Sequence, residues 1–192
     1  MHRMVRTFVA IQVSPEVSSR AGRLIARLAE SQARVRWVDP KHLHLTLKFL
    51  GDIDILNIHE ICRAVNQAAA EAPPFDLEIG GAGAFPNLDR PRTVWVGIRR
   101  GQEELCELQA GVESHLATIG YRPEARRFQP HLTIGRVRDG DAGAIELSRR
   151  LADERDFTAG LVDVSEVCIF SSELTREGPI YEPLGVSPLA GR

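Results

Sequence analysis

The chain predicts an α+β fold of two pseudo-symmetric lobes, each an antiparallel sheet with helices on its outer face, around a central cleft. Three observations lead to this fold class. Strand-like and helix-like segments alternate along the chain, the same order of segments occurs twice, and the tetrapeptide His-Leu-Thr-hydrophobic stands once in each half, at 44–47 and 131–134. No composition typical of a flexible linker separates the halves. We therefore expect residues 1–192 to form a single bilobal domain.

The first half of the chain indicates the order strand, helix, strand, strand, helix, strand. Ser14 followed by Pro15 is a typical helix start, with serine as the N-cap and proline at the first helical position. Pro73 and Pro74 end the second helix. The glycine-rich run 80–83 predicts a turn or a mobile loop. The predicted strands cover 7–13, 35–38, 43–50 and 75–79, and the predicted helices cover about 14–32 and 58–65.

The second half repeats this order. It predicts strands at 93–98, around the second motif and at 161–170, with helices at 105–116 and 145–151. His131 follows His44 by 87 residues (131 − 44). The matching order and spacing predict an internal duplication, in which a pseudo-twofold axis brings the two motifs close to each other.

Composition excludes several classes of protein. The chain is 43% hydrophobic and 26% charged, as in an ordinary globular protein, and its net charge of −2 is unlike that of proteins that coat nucleic acid nonspecifically. No apolar run approaches the about 20 residues of a membrane span. We interpret the chain as a cytoplasmic protein without a membrane partner, and we expect a monomer. Cys62, Cys106 and Cys168 are isolated, which favours reduced thiols over a disulfide framework or zinc site, and no cofactor is expected.

The two motifs supply a set of catalytic side chains. Side chains two apart on a strand point to the same face, so His44 lies beside Thr46, and His131 beside Thr133. Two imidazoles in one cleft can act as general base and general acid, and two hydroxyls can bind an anionic group between them. These groups are sufficient to cut a phosphodiester without a metal ion. Lys48 shares the same face by strict alternation, which makes it a candidate for binding the substrate.

Several segments carry a resemblance to a known family. They are RWVDP at 36–40, LHLTL at 43–47, FLG at 49–51, FQPHLTIGR at 128–136, and the tail segments SSEL at 171–174 and GPIYE at 178–182. These segments resemble the 2H phosphoesterase superfamily. Within it, they are most similar to the bacterial and archaeal RNA 2',3'-cyclic phosphodiesterases, also called 2'-5' RNA ligases. The resemblance extends from about residue 6 to residue 184, which is nearly the whole chain.

The resemblance implies metal-independent hydrolysis of an RNA or nucleoside 2',3'-cyclic phosphate to a 2'-phosphate. His131 would take a proton from the attacking water and His44 would give one to the departing ribose 3'-oxygen, although the reverse assignment is open. Thr46 and Thr133 would donate hydrogen bonds to the non-bridging oxygens. Two alternatives remain: reversible 2'-5' RNA ligation at the same site, and a noncatalytic sensor of nucleotides or RNA ends. The expected partners are RNA ends or small cyclic nucleotides.

Phe49 and Arg136 each follow their motif histidine by five residues, and the family pattern suggests that such residues sandwich the nucleobase. Strict alternation instead puts both on the core side of their strands, which favours a packing role for Phe49. The neighbouring Gly51 and Gly135 could end the regular alternation and restore the binding role.

Two other interpretations carry less weight. His42, His44 and His131 could be three ligands of a metal, but no carboxylate or cysteine stands at a convincing fourth position, so no metal site is predicted. The pair Arg126-Arg127 could attract the phosphate chain of RNA, although surface charge is the simpler explanation.

Overall fold

The structure, a computed structural model, describes residues 3–138, 143–175 and 178–191. Strands and helices alternate along it. They are β1 (Met4–Gln12), α1 (Pro15–Ala29), β2 (Val35–Trp37), β3 (His44–Asp54), α2 (Ile58–Glu71), β4 (Phe75–Phe85), β5 (Thr93–Arg100), α3 (Gln102–Thr118), β6 (Leu132–Val137), α4 (Ala144–Asp153), β7 (Thr158–Val164), β8 (Glu166–Thr175) and β9 (Gly178–Pro188).

The strands form two antiparallel sheets, which confirms the predicted α+β fold class. The first sheet has the order β3-β1-β8-β9 and the second has the order β2-β6-β5-β4-β7. Each sheet combines strands from both halves of the chain. The late strands β8 and β9 complete the sheet of β1 and β3, while the early strands β2 and β4 complete the sheet of β5 and β6. A lobe of the fold is therefore not the same as a half of the sequence.

Helices cover the two sheets and enclose the core. Helix α1 packs on β7, α4 on β4, α2 on β9 and α3, and α3 also on β3. One cluster of buried apolar side chains joins both sheets to all four helices, and it includes Val9, Leu24, Val65, Val96, Leu105 and Leu151. Among the residues that the structure describes, no helix is long and apolar enough to span a membrane.

The structure confirms some element boundaries and corrects others. The side chain of Ser14 caps α1 by accepting a hydrogen bond from the Val17 amide at 3.2 Å, as the sequence predicts. The predicted turn at 80–83 is wrong, because β4 continues through it with irregular register and reaches Phe85. The predicted strand 161–170 is also wrong, since it comprises two strands, β7 and β8, that belong to different sheets.

Candidate active site

The two motif strands meet although they belong to different sheets. Strand β3 is the edge of the first sheet, while β6 lies between β2 and β5 in the second, and the two strands contact each other. Both motif histidines are partly buried. Thr46 is exposed and Thr133 is partly exposed. The fold thus brings together β3, which begins at His44, and β6, which begins directly after His131.

The last residue of each motif forms a β-bulge. The register of β3 against β1 skips Leu47, and the register of β6 against β5 skips Ile134, each three residues after the motif histidine. An extra residue exchanges the two faces of a strand from that point onward. Phe49 and Arg136 therefore turn to the face of the motif threonines, and both side chains are exposed.

The bulge corrects the prediction for Lys48. Its side chain lies on the core face and is only 4% exposed, where its ammonium donates to Glu113 Oε2 at 2.7 Å and to the Arg122 carbonyl oxygen at 2.9 Å. The prediction that Lys48 shares the polar face of His44 and binds substrate is therefore wrong. Strict alternation fails here because the bulge at Leu47 exchanges the faces of Lys48 and Phe49.

The same shift corrects the expected packing role of Phe49. The ring is 43% exposed, and the guanidinium carbon of Arg6 lies 4.7 Å from its centroid. The change of face occurs at the bulge residue and not at the neighbouring glycine. The sequence analysis did not identify Arg6. In the structure its guanidinium makes a cation–π contact with the exposed Phe49 ring.

Each histidine is held by the same backbone hydrogen bond. His44 Nδ1 lies 2.7 Å from the His42 carbonyl oxygen, and His131 Nδ1 lies 2.6 Å from the Gln129 carbonyl oxygen. A carbonyl oxygen can only accept, so Nδ1 carries the hydrogen in both rings. In the neutral imidazole, Nε2 is then the atom with the free lone pair. Two Nε2 atoms are thus prepared to accept or return a proton.

Aromatic rings enclose both histidines. The His44 ring centroid lies 4.8 Å from that of Phe8 and 5.3 Å from that of Tyr181. The His131 centroid lies 5.0 Å from that of Phe85, which in turn lies 5.2 Å from Trp95. The sequence did not identify these neighbours as site residues. One signal was present, because Phe8 and Trp95 are 87 residues apart (95 − 8), as the two histidines are.

Burial lowers the pKa of both histidines below the ordinary value of 6.5, and the backbone bond at Nδ1 offsets only part of this effect. The charges of Arg136 and Arg126 lower the pKa of His131 further. Both imidazoles are therefore biased towards the neutral form.

Tyr181 links the two sheets electrostatically. It lies on β9 of the first sheet, and burial raises the pKa of its phenol. The positive charges of Arg36 and Arg136, both in the second sheet, act in the opposite direction on the same pKa. These arginines therefore lie near the tyrosine that packs on His44.

The candidate metal ligands do not assemble into a site among the described residues. Over the ranges that the structure covers, no group of three or more histidine, cysteine, aspartate or glutamate side chains is placed to hold a metal ion. The strands β3 and β6 contact each other, and aromatic rings lie against both motif histidines.

The chain resembles known proteins over nearly its full length. Residues 8–176 match the model of the 2'-5' RNA ligase superfamily. The chain is 35% identical over 182 residues to the RNA 2',3'-cyclic phosphodiesterase of Methanothermobacter thermautotrophicus, covering 95% of this chain and 97% of that protein. It is 36% identical over 165 residues to the protein of the same name from Aeropyrum pernix, covering 86% and 92%.

Solved structures share the fold. The chain is similar to E. coli LigT complexed with 3'-AMP, with a TM-score of 0.73 and 27% identity over 97% of this chain and 99% of that one. It also resembles TT0787 of Thermus thermophilus, with a TM-score of 0.75 over 97% of this chain and 98% of that one. At 24% identity, this second likeness concerns the fold alone.

Proposed function

Since the chain belongs to the 2'-5' RNA ligase superfamily, we propose that it is a metal-independent RNA 2',3'-cyclic phosphodiesterase that uses His44 and His131 as an acid–base pair. Relatives with that name are similar over most of this chain. One observation carries the proposed chemistry: each motif histidine donates from Nδ1 to a carbonyl oxygen, which leaves Nε2 to react, and the strands that begin at His44 and just after His131 contact each other.

The reaction divides between the two histidines. His131 Nε2 takes a proton from water as the water oxygen bonds to phosphorus. The bond from phosphorus to the ribose 3'-oxygen breaks, and protonated His44 gives the 3'-oxygen its proton. The products are a 2'-phosphate and a 3'-hydroxyl. The hydroxyls of Thr46 and Thr133 donate to the non-bridging oxygens, where they stabilise the charge of the transition state.

The local charges support this assignment of roles. Arg136 and Arg126 act on His131, where positive charge lowers the pKa and favours the neutral base. Beside His44, whose pKa is lowered by burial and by the charge of His42, lie the rings of Phe8 and Tyr181. A protonated imidazole is attracted to the faces of aromatic rings. His44 has two such rings as neighbours, whereas His131 has one ring, Phe85, and the two arginine charges, which supports His44 as the acid.

The nucleobase of the substrate would bind between Phe49 and Arg136. Both side chains are exposed on the face to which the bulges turn them, and a base can stack on an aromatic ring and on a guanidinium plane. Arg6, which covers the Phe49 ring, would hold that ring in position.

A second candidate function is 2'-5' RNA ligation at the same site. The superfamily match favours it. Chemically it needs only the 5'-hydroxyl of a second RNA in the place of water, with His131 as base and His44 as acid. A noncatalytic sensor is a weaker alternative, because both histidines and both threonines are retained.

Product analysis tests the proposal. The protein is incubated with 2',3'-cyclic AMP and with an RNA ending in a 2',3'-cyclic phosphate, in EDTA, and the 2'- and 3'-phosphate products are resolved. We expect the 2'-phosphate in EDTA, and a loss of about 10²–10⁴ in rate for His131→Ala. His59→Ala, which removes an exposed histidine of α2, is the matched control.

Three outcomes would contradict the proposal. They are loss of activity in EDTA, formation of the 3'-phosphate, and binding of the 2'-nucleotide by a protein that does not turn over its cyclic precursor. The last outcome would identify a sensor.

A further inference from the structure

A cavity opens beside His131. Its volume is about 330 Å³, and its lining includes Phe85, Trp95, Gln102, Arg127, Phe128 and His131 itself. This volume is at the lower end of the roughly 300–1,000 Å³ that small-molecule sites occupy. The proposed hydrolysis of a cyclic mononucleotide uses His131 but assigns no role to the other walls of this cavity.

The cavity lies at the opposite end of β6 from the proposed base-binding residues. Its walls come from the segment 127–131, which precedes β6, together with α3, β4 and β5. Neither Phe49 nor Arg136 belongs to the lining, although the charge of Arg136 reaches His131. A nucleobase held between Phe49 and Arg136 would therefore not use the aromatic walls of the cavity.

The walls have the chemistry of a nucleobase site. Phe85, Trp95 and Phe128 provide aromatic surface, on which every base can stack. The Trp95 indole lies against Gly83, where a Cβ atom would collide with the ring, so the absence of a side chain there makes room for the indole. The glycine of β4 thus allows the Trp95 ring to occupy its place in the cavity wall.

Polar groups complete the lining. The amides of Gln102 and Gln129 can bond to base edges, since a side-chain amide offers both donors and an acceptor. Arg127 adds a cation whose charge reaches Cys106 in the cavity wall. A guanidinium beside stacked bases can donate charge-assisted hydrogen bonds to an RNA phosphate.

We propose that this cavity is a second nucleoside subsite, which binds the base of the nucleotide adjacent to the reacting one. The inference rests on the proposed function, because it is defined relative to a phosphate at His131. Two substrates bring such a nucleoside: an RNA whose cyclic end is preceded by another nucleotide, and a dinucleotide joined by a 2'-5' linkage.

Dinucleotides should therefore be better substrates than mononucleotides. The test compares kcat/KM for adenosine 2',3'-cyclic phosphate, for the 3'-5' dinucleotide that ends in the cyclic phosphate, and for 2'-5'-linked ApA. Cleavage of ApA is the reverse of the ligation: the 3'-oxygen gives its proton to His44 and bonds to phosphorus, and the 5'-oxygen leaves with a proton from His131. We expect at least one dinucleotide to exceed the mononucleotide in kcat/KM by about tenfold, as base stacking predicts. The substrate that shows the gain identifies which neighbour occupies the cavity.

Two substitutions connect the gain to the cavity. Phe128→Leu keeps apolar volume but removes an aromatic face, and Arg127→Ala removes the cation. Each should reduce the ratio of dinucleotide to mononucleotide kcat/KM several-fold, with the mononucleotide rate as the internal reference for general damage. Arg122→Ala, which removes an exposed arginine nine residues before His131 (131 − 122) and outside the cavity lining, is the matched control and should keep the wild-type ratio.

Binding separates failure of the subsite from failure of the proposed function. The dissociation constants of adenosine 2'-phosphate and of the dinucleotide ending in a 2'-phosphate are measured by calorimetry for wild type and Phe128→Leu. Tighter dinucleotide binding that is lost in Phe128→Leu supports the subsite, even if no substrate is turned over. Equal affinity for the two ligands together with no kcat/KM gain for 2'-5'-linked ApA, or a gain in kcat/KM that survives both substitutions, overturns it.

Discussion

At the scale of single residues, the hydrogen bond from Nδ1 to a backbone carbonyl decides which histidine nitrogen can react. The bond has nearly the same length in both motifs, 2.7 Å at His44 and 2.6 Å at His131, and in both it joins the ring to the residue two positions earlier. Because the bond is local, it forms wherever this short motif takes this backbone path. Burial then sets the proton affinity of the remaining nitrogen.

The lowered pKa values predict the pH dependence of the reaction. Activity requires one neutral and one protonated histidine, so kcat/KM should follow a bell. At pH values below the optimum the general base becomes protonated, and at pH values above the optimum the general acid loses its proton. Since burial lowers the pKa of both groups in the free enzyme, the optimum should lie below the ordinary value of 6.5. A kcat/KM for 2',3'-cyclic AMP that still rises above about pH 7.5, more than one unit past the ordinary histidine pKa, would contradict this prediction.

At the scale of secondary-structure elements, a buried polar network fastens α3 to the bulged part of β3. Lys48 pairs with Glu113 of α3, and Gln109 of α3 lies 3.3 Å from the same carboxylate. Gln109 also donates to the carbonyl oxygen of Leu47, the bulge residue, at 3.4 Å. The helix therefore supports the bulge that turns Phe49 towards the site.

The only two lysines of the chain give a matched test of this network. Lys48→Ala leaves the largely buried carboxylate of Glu113 without its cation, which should lower the free energy of unfolding by about 3–5 kcal/mol. Lys41→Ala breaks an exposed pair with Asp39 and should cost at most about 1 kcal/mol. Urea denaturation measures both, and similar losses for the two variants would rule out a stabilising role for the network.

The features of the fold and site that depend on local interactions could be predicted from the sequence. The features that depend on pairing between distant strands could not. The start of α1 follows from Ser14 and Pro15 alone, and each His-x-Thr pair follows from alternation within one strand. The bulge at Leu47 depends on how β3 aligns with β1, so the sequence of β3 could not reveal that Lys48 turns inward. Likewise, β7 and β8 are nearly continuous in sequence, and only their pairing with different sheets shows that they are two strands.

At the scale of the whole molecule, the exchange of strands makes the two lobes depend on each other. β4 from the first half of the chain lies between β5 and β7, and β8 from the second half lies between β1 and β9. Neither sheet can form from one half of the chain alone. The apolar core that joins both sheets adds to this dependence.

Unfolding should accordingly be a single cooperative transition. Both tryptophans, Trp37 on β2 and Trp95 on β5, lie in the second sheet. Fluorescence therefore reports on that sheet, while far-ultraviolet circular dichroism reports on the whole chain. The two urea curves should coincide. A fluorescence transition separated from the circular-dichroism transition would mean that the lobes unfold independently, against the prediction of a single domain.

The acid–base pair is tested by comparing kcat/KM for 2',3'-cyclic AMP among His44→Ala, His131→Ala and the double variant. An acid–base pair predicts a loss of about 10²–10⁴ for each single variant. The double variant should lose little more than the less active single variant, because the two proton transfers belong to one step. Near-wild-type activity in either single variant, or losses that simply multiply in the double, would contradict the acid–base pair.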